Sequence, residues 1–154
     1  MSNPAVTFAR HWHHLSAQSQ TLGPLSVRIA TLLMGKHKPR GIYTQSNDQA
    51  GDYVVVTQAD RIMVTGKKAE QKMYYRHSMY PGGLKVESYQ QRMNKKPEEI
   101  IRAAVSGMLP KNKLRDRRLE RLKIFIGDEN PYAQNISRRY DVPSAPQVSS
   151  STTS

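Results

Sequence analysis

The chain has 154 residues, a formal net charge of +12 and a sequence pI of about 10.1, and it contains no cysteine. The absence of cysteine excludes disulfides, thiolate metal sites and cysteine nucleophiles, and no apolar run approaches the roughly 18 residues that a membrane span requires. A charge this positive attracts polyanions, so RNA, DNA and an anionic membrane surface are the partner classes to consider.

The length predicts one domain with trailing ends. Residues 1–10 are an N-terminal extension that is weakly basic and has no apolar segment, so a secretory signal is not expected, while a short mitochondrial address stays open. Residues 11–136 are the predicted domain. Residues 137–154 are predicted to be a flexible polar tail, because its end is uncharged and rich in Ser and Thr and buries too little apolar surface to order itself.

The first clear element is a helix that starts near Thr21. Thr21 is a suitable N-cap, Pro24 is tolerated in a first turn, and Gly35 is a suitable C′ residue. Between them the apolar residues follow helical i, i+4, i+7, i+8 spacing, at Leu25, Ile29, Leu32 and Leu33. Residues 11–15, just before, are a candidate short strand.

Basic residues follow this helix directly, at Lys36, His37, Lys38 and Arg40. Cations are favoured by the dipole at a helix C-terminus, so a charged cap explains them as well as contact with RNA does. Residues 42–52 are polar, contain Gly51 and are predicted to form a loop.

Two apolar runs then indicate the interior of an α/β sheet. Residues 52–57 are almost continuously β-branched, which is typical of a strand buried on both faces, and residues 62–65 are predicted to be a second short strand. Basic residues and tyrosines interleave over residues 67–85, where one of Tyr74 and Tyr75 is expected to enter the core. Residues 81–83 are a predicted turn and residues 84–89 a further extended piece.

Two helices follow in the last third of the chain. Residues 87–96 are predicted to be helical and to end before Pro97, which opens the next helix. That helix has an apolar stripe that includes Ile100, Ile101 and Val105. Residues 124–126 are predicted to be the last buried strand.

The most basic segment, residues 106–123, lies between the second helix and that last strand. Pro110 ends the preceding helix, and the pattern becomes helical again at Leu114, with Leu119 and Leu122 also free to face a core. The arginines are then expected on the other faces of the helix. Like charges at helical spacing repel each other, so we expect an external polyanion, most simply a phosphate backbone, to neutralise them.

Motifs for catalysis or metal binding are weak. His11, His13 and His14 lack the Cys or carboxylate that would complete a zinc site, so packing or phosphate contact explains them better. The residues around Gly66-Lys67-Lys68 lack the glycine and Ser/Thr of a phosphate-binding loop. His77 is the best candidate for a general base, and a small α/β enzyme acting on a phosphorylated substrate, with Lys67, Lys68 and His77 around an anion, is the rival hypothesis. Regulation through mRNA structures is a third.

Several motifs resemble the universal ribosomal protein L-thirteen family. They are Thr21-Leu22-Gly23, Gly35-Lys36-His37-Lys38, Gly51-Asp52-Tyr53-Val54-Val55-Val56, Val64-Thr65-Gly66-Lys67, Tyr74-Tyr75-Arg76-His77-Ser78 and Gly107-Met108-Leu109-Pro110-Lys111-Asn112-Lys113-Leu114. The resemblance covers roughly residues 11–136. Trp12-His13-His14, Glu129-Asn130-Pro131-Tyr132 and Asn135-Ile136 look closest to fungal mitochondrial members.

This resemblance implies a three-layer α/β/α fold around a small, mostly parallel sheet. It also implies a structural, non-catalytic role in a mitochondrial large ribosomal subunit in the matrix, with large-subunit rRNA and neighbouring ribosomal proteins as partners, early action in assembly, and no cofactor, metal, membrane span or small-molecule substrate. The predicted RNA-binding residues are Lys36, His37, Lys38, Arg40, Lys67, Lys68, Lys72, Tyr75, Arg76, His77, Lys85, Lys111, Lys113, Arg115, Arg117, Arg118 and Arg121.

Overall fold

The computed structural model describes residues 9–39, 43, 45–46 and 48–140. Its strands are β1 (Trp12–Ser16), β2 (Tyr53–Thr57), β3 (Met73–His77), β4 (Leu84–Ser88), β5 (Leu122–Ile124) and β6 (Arg138–Tyr140). Its α-helices are α1 (Leu22–Met34), α2 (Lys68–Gln71), α3 (Tyr89–Lys95), α4 (Pro97–Met108) and α5 (Arg115–Glu120). Two short 3₁₀ helices span Ala59–Arg61 and Ala133–Asn135. None of the described helices is long and apolar enough to cross a bilayer.

The central sheet has the strand order β5-β2-β1-β6, and its neighbouring strands are all parallel. The predicted strand at 52–57 is its buried member β2, in which Val54, Val55 and Val56 are fully buried. The candidate strand at 11–15 is β1, which pairs with β2 on one side and β6 on the other. A parallel sheet flanked by helices confirms the predicted α/β fold class.

One face of this sheet packs on the helices. Leu15, Val54 and Val56 lie on that face and join the central core cluster, together with Leu122 and Ile124 of β5. The apolar stripes of α1 and α4 cover them, because the i, i+4 spacing of those helices turns Ile29, Leu33, Ile100, Ile101 and Val105 toward the sheet. Burying each such side chain contributes about 1.5–3 kcal/mol.

The ends of α1 match the prediction. Thr21 is the N-cap residue, Pro24 lies in the first turn and Gly35 ends the helix in the left-handed conformation, with φ of 81°. The Gly35 amide donates to the carbonyls of Thr31 and Leu32. A Cβ at Gly35 would also collide with the Ala50 backbone, so the position needs glycine for two independent reasons.

Several predicted boundaries are wrong. Residues 62–65 form only one bridge, between Met63 and Thr21, since Ile62 alone of the four is buried. The helix expected from 87 begins at Tyr89, because Ser88 caps it through a reciprocal pair of hydrogen bonds with Gln91.

The C-terminal strands also differ from the prediction. The last predicted strand lies two residues earlier, at Leu122–Ile124, and Ile126 is exposed. β6 was not predicted, and it begins at Arg138, beyond the domain end suggested at residue 136. The far end of the tail, residues 141–154, lies outside the described residues.

A separate antiparallel hairpin joins β3 to β4. The turn predicted at 81–83 lies between these strands, and β4 confirms the extended piece predicted near residue 84. Tyr74 packs against the core while Tyr75 is 70% exposed, as the alternation of the two tyrosines predicts.

Candidate nucleic-acid interface

The basic segment after α4 is shaped by an asparagine turn. The Asn112 side chain accepts a hydrogen bond from the Leu114 amide at 3.1 Å, and its carbonyl accepts one from the Arg115 amide. This turn begins the short helix α5. Lys111, Lys113 and Arg117 are exposed and Arg115 is partly buried, so the segment presents a row of cations beyond the end of α4.

Arg118 and Arg121 do not face solvent, so the expectation that they lie on the outward faces of the helix is wrong. Arg118 is 0% and Arg121 5% exposed. The Arg121 guanidinium binds both carboxylate oxygens of Asp48, at 2.6 and 2.7 Å, and donates to the Leu33 carbonyl at 3.2 Å. The Arg118 Nη2 atom donates to the Gln45 carbonyl at 3.2 Å.

These two arginines therefore fasten the loop before β2 to the rest of the domain. Burial alone would raise the pKa of the Asp48 carboxyl, but hydrogen bonds from Arg121 and the charges of Arg121 and Arg118 outweigh it and hold that pKa below its usual value. Asp48 was not singled out from the sequence. The chain has no acidic residue before Asp48, and this lack of other acids is the one sequence signal that could have identified it.

The basic residues after α1 divide into an exposed lysine and a network around a buried aspartate. Lys36 is exposed, with its ammonium 5.2 Å from the Tyr43 ring centre. The side chains of His37 and Lys38 instead contact Asp52, with His37 Nε2 at 2.9 Å from Asp52 Oδ2 and Lys38 Nζ at 2.7 Å from Asp52 Oδ1. Arg40, also predicted to bind RNA, lies outside the described residues.

Asp52 is the centre of this network and is itself fully buried. Besides His37 and Lys38, it accepts hydrogen bonds from His13 Nε2 at 2.9 Å and from the His11 amide at 3.2 Å. Burial alone would raise the pKa of the Asp52 carboxyl, but the hydrogen bonds from His13, Lys38 and His11 outweigh it and hold that pKa far below its usual value. Burial lowers the pKa of His37 below its usual value, although the Asp52 charge beside it acts in the opposite direction.

His13, His37 and Asp52 also bring three possible metal-ligand atoms within 4.8 Å of one another. Their surroundings fit a hydrogen-bond network better than a cation site. The Lys38 ammonium already occupies the second carboxylate oxygen. A ligating histidine almost always donates its other N–H to an acceptor, yet His13 Nδ1 has no hydrogen-bond partner in the described part of the chain.

The hairpin carries the third group of predicted residues. Lys67 and Lys68 start α2, Lys72 follows it with its ammonium 5.5 Å from the Tyr74 ring centre, and Arg76, His77 and Lys85 are exposed on the strands. His77 accepts a hydrogen bond from the Met79 amide at 2.9 Å. Tyr75 shares its exposed face with Val86 and Leu84.

Arg76 and Lys85 are directly opposite each other in the register of β3 and β4. Like charges at such a position destabilise a hairpin. Among the described residues neither side chain forms an ion pair, because the nearby acid Glu87 is bound by Arg92 at 3.1 Å. The hairpin therefore holds two uncompensated cations side by side, an arrangement that an external anion would stabilise.

Comparison with known proteins agrees with the motif resemblance. The family described as Ribosomal protein L13 matches residues 10–131. A protein named Large ribosomal subunit protein uL13 from Roseiflexus sp. (strain RS-1) is 50% identical over 132 residues, which cover 86% of this chain and 88% of that protein. Its namesake from Clostridioides difficile (strain 630) is 52% identical over 124 residues, covering 80% of this chain and 85% of that protein. Large ribosomal subunit protein uL13m from Schizosaccharomyces pombe is 47% identical over 145 residues, covering 94% of this chain and 90% of that protein.

Proposed function

The chain belongs to the ribosomal protein L13 family, and on that basis we propose that its exposed cations bind the rRNA of the large ribosomal subunit. Membership of the family makes it a structural ribosomal protein that serves translation and not an enzyme. The rival hypothesis of a small enzyme with Lys67, Lys68 and His77 around an anion is therefore excluded.

The observation that carries the proposal is the opposed pair Arg76 and Lys85 on the exposed hairpin. The isolated protein gains no stability from two cations placed opposite each other on paired strands, whereas a phosphate between them would neutralise both charges. The other exposed cations of the predicted set add positive charge elsewhere on the described surface, and they are Lys36, Lys67, Lys68, Lys111, Lys113 and Arg117.

The distribution of acids supports the same proposal. Asp48 and Asp52 are used inside the fold, where the charges of Arg121 and Lys38 neutralise them. Much of the positive charge of the chain therefore stays on the surface. Such a surface suits broad contact with the backbone of folded RNA, because phosphate contacts position a protein without reading sequence.

Binding of the full chain to its large-subunit rRNA is expected to fall steeply with salt. A protein that makes about 6–10 phosphate contacts loses about 10³–10⁵ in affinity between 50 and 200 mM salt, because each contact releases counterions. An affinity that hardly changes over this range would contradict the proposal.

A charge reversal in the hairpin separates RNA binding from stability. Lys85→Glu places opposite charges across β3 and β4, so the isolated protein should gain about 0.2–1 kcal/mol in unfolding free energy while its rRNA affinity falls. The matched control is Arg61→Glu, since Arg61 is also exposed but lies outside the predicted surface. Equal rRNA binding by Lys85→Glu and the control would refute the role given to the hairpin.

The finer proposal is that this subunit is mitochondrial and that the protein joins it early in assembly. The mitochondrial location is supported by the fission yeast relative, whose match extends over 145 residues compared with 132 for the Roseiflexus protein. Fractionation of cells that express a tagged copy tests it. We expect the tag in isolated mitochondria and, on a sucrose gradient of their lysate, with the large subunit and its precursors. Co-migration of the tagged protein with cytosolic ribosomes, or with bacterial-type ribosomes in a cell that has no organelles, would overturn the mitochondrial location.

A further inference from the structure

A cavity of about 390 Å³ lies between the start of α1, the segment after Met63 and the last turns of α4. Its volume is at the small end of the roughly 300–1,000 Å³ that small-molecule sites occupy. Its walls are largely apolar, from Leu22, Pro24, Val64, Ala104 and Met108. A flat, uncharged ring placed in this cavity would contact apolar side chains on more than one side.

Polar groups line the same cavity. Thr21 and Thr65 contribute hydroxyls, and Lys68 and Lys72 contribute ammonium groups. Lys68 Nζ lies 3.4 Å from Thr65 Oγ1, and among the described residues neither lysine pairs with an acid. The first turn of α1, whose positive dipole end favours anions, borders the cavity as well, and the Thr21 side chain does not cap it. The cavity thus combines an apolar interior with uncompensated positive charge.

We propose that this cavity takes a single unpaired nucleotide of RNA, with the base between the apolar walls and a phosphate at Lys68 and Lys72. The proposal rests on the proposed rRNA-binding function and assigns one site within that surface. Unpaired bases of RNA loops and bulges can be splayed out and bound individually by protein, and taking a base out of a stack costs only a few kcal/mol when it is not paired.

The contrast with a second cavity supports this assignment. The hollow beside Phe125, Ile126 and Gly127 is larger, about 870 Å³, but Glu98 and Glu129 line it. Carboxylates there would repel a phosphate, and no lysine or arginine is among its lining residues. Of these two cavities, only the one at the start of α1 matches the charge of a nucleotide.

Gly23 offers a clean way to close the cavity. It is exposed, it lines the cavity, and a Cβ added there would meet no atom within 4 Å. Gly23→Leu should therefore fill the space without disturbing the fold. Gly127→Leu is the matched control, because Gly127 is also exposed and a Cβ there would likewise meet no atom within 4 Å, but it lies at the acidic cavity.

The experiment titrates AMP, UMP, ribose 5-phosphate and inorganic phosphate into the ¹⁵N-labelled full chain and follows amide chemical shifts. We expect both nucleotides to shift the amides of Gly23, Val64 and Met108 in a saturable way. Gly23→Leu should remove these shifts and Gly127→Leu should retain them, while Lys68→Ala should weaken binding by about threefold. Equal shifts with inorganic phosphate alone, or an unchanged titration of Gly23→Leu, would overturn the proposal.

Binding of the unmodified chain to intact large-subunit rRNA is measured in parallel. If the chain binds rRNA with the expected salt dependence but no nucleotide shifts the cavity amides, the nucleotide site is wrong and the proposed function stands. If the chain does not bind rRNA at all, the proposed function itself fails, whatever the nucleotides do.

Discussion

Truncating Arg121 to alanine is expected to destabilise the domain strongly although Arg121 lies in the most basic part of a very basic chain. The change removes two charge-assisted hydrogen bonds to Asp48, at 2.6 and 2.7 Å, and one to the Leu33 carbonyl. Breaking a buried ion pair by removing one partner costs about 3–5 kcal/mol. Asp48 keeps Arg118 Nε at 3.5 Å and its side chain is 17% exposed, so we expect the low end, about 3 kcal/mol.

Urea unfolding followed by circular dichroism measures this change. With a denaturant slope of about 2 kcal/mol/M, a loss of about 3 kcal/mol lowers the midpoint by about 1.5 M. The matched control is Arg117→Ala, which removes an identical side chain from an exposed position in helix α5, just before Arg121, and should change stability by no more than about 0.5 kcal/mol. If both variants unfold at the wild-type midpoint, or if Arg117→Ala is as unstable as Arg121→Ala, the buried pair does not hold the loop.

Other changes test the remaining features. Burial lowers the pKa of His37 in the folded state, so below about pH 6.5 the unfolded chain binds a proton that the folded chain does not. The free energy of unfolding should therefore fall as the pH drops below about 6.5. The urea midpoint of His37→Gln should depend less on pH between about 7 and 5 than that of the wild type. Gly51→Ala should cost about 1–3 kcal/mol or more, since its Cβ would collide with the Leu33 carbonyl and lie 2.5 Å from Arg121 Nη2, and a thermal melt equal to that of wild type would contradict this. Val55→Asp should leave no folded domain by circular dichroism, because it puts a charge in a fully buried strand. Arg117→Glu should fold normally but be incorporated less into the large subunit, as measured on sucrose gradients. Incorporation equal to that of wild type would argue against rRNA binding by the exposed cations of residues 111–117.

The sequence predicted those elements whose signals are local. Helix α1 has its apolar spacing, its N-cap Thr21 and its terminal Gly35 within one short segment, and β2 is apolar on both faces. Residues 62–65 have the same apolar character, but whether such a run enters a sheet depends on a neighbouring strand, which the sequence does not specify.

The candidate site was harder to predict because its charges pair over long distances. Asp52 is contacted by four residues from separate segments of the chain, which are His11, His13, His37 and Lys38. Within α5 only Leu119 is apolar, which does not fix the inward face of so short a helix, and the loop acid Asp48 decides it by binding Arg121, the residue that follows the helix. Local patterns identified the chain as basic, whereas tertiary contacts determined which cations remain on the surface.

The strand order has a consequence for how the chain matures. Both outer strands of the central sheet, β5 and β6, come from the last part of the described chain, while the inner pair β1 and β2 is made first. A growing chain on the ribosome that makes it would therefore hold two parallel strands with open edges until translation is nearly complete. Such pairings between distant segments form slowly and expose aggregation-prone edges. Shielding by a chaperone, or by an RNA that screens the charge, would matter most in that interval.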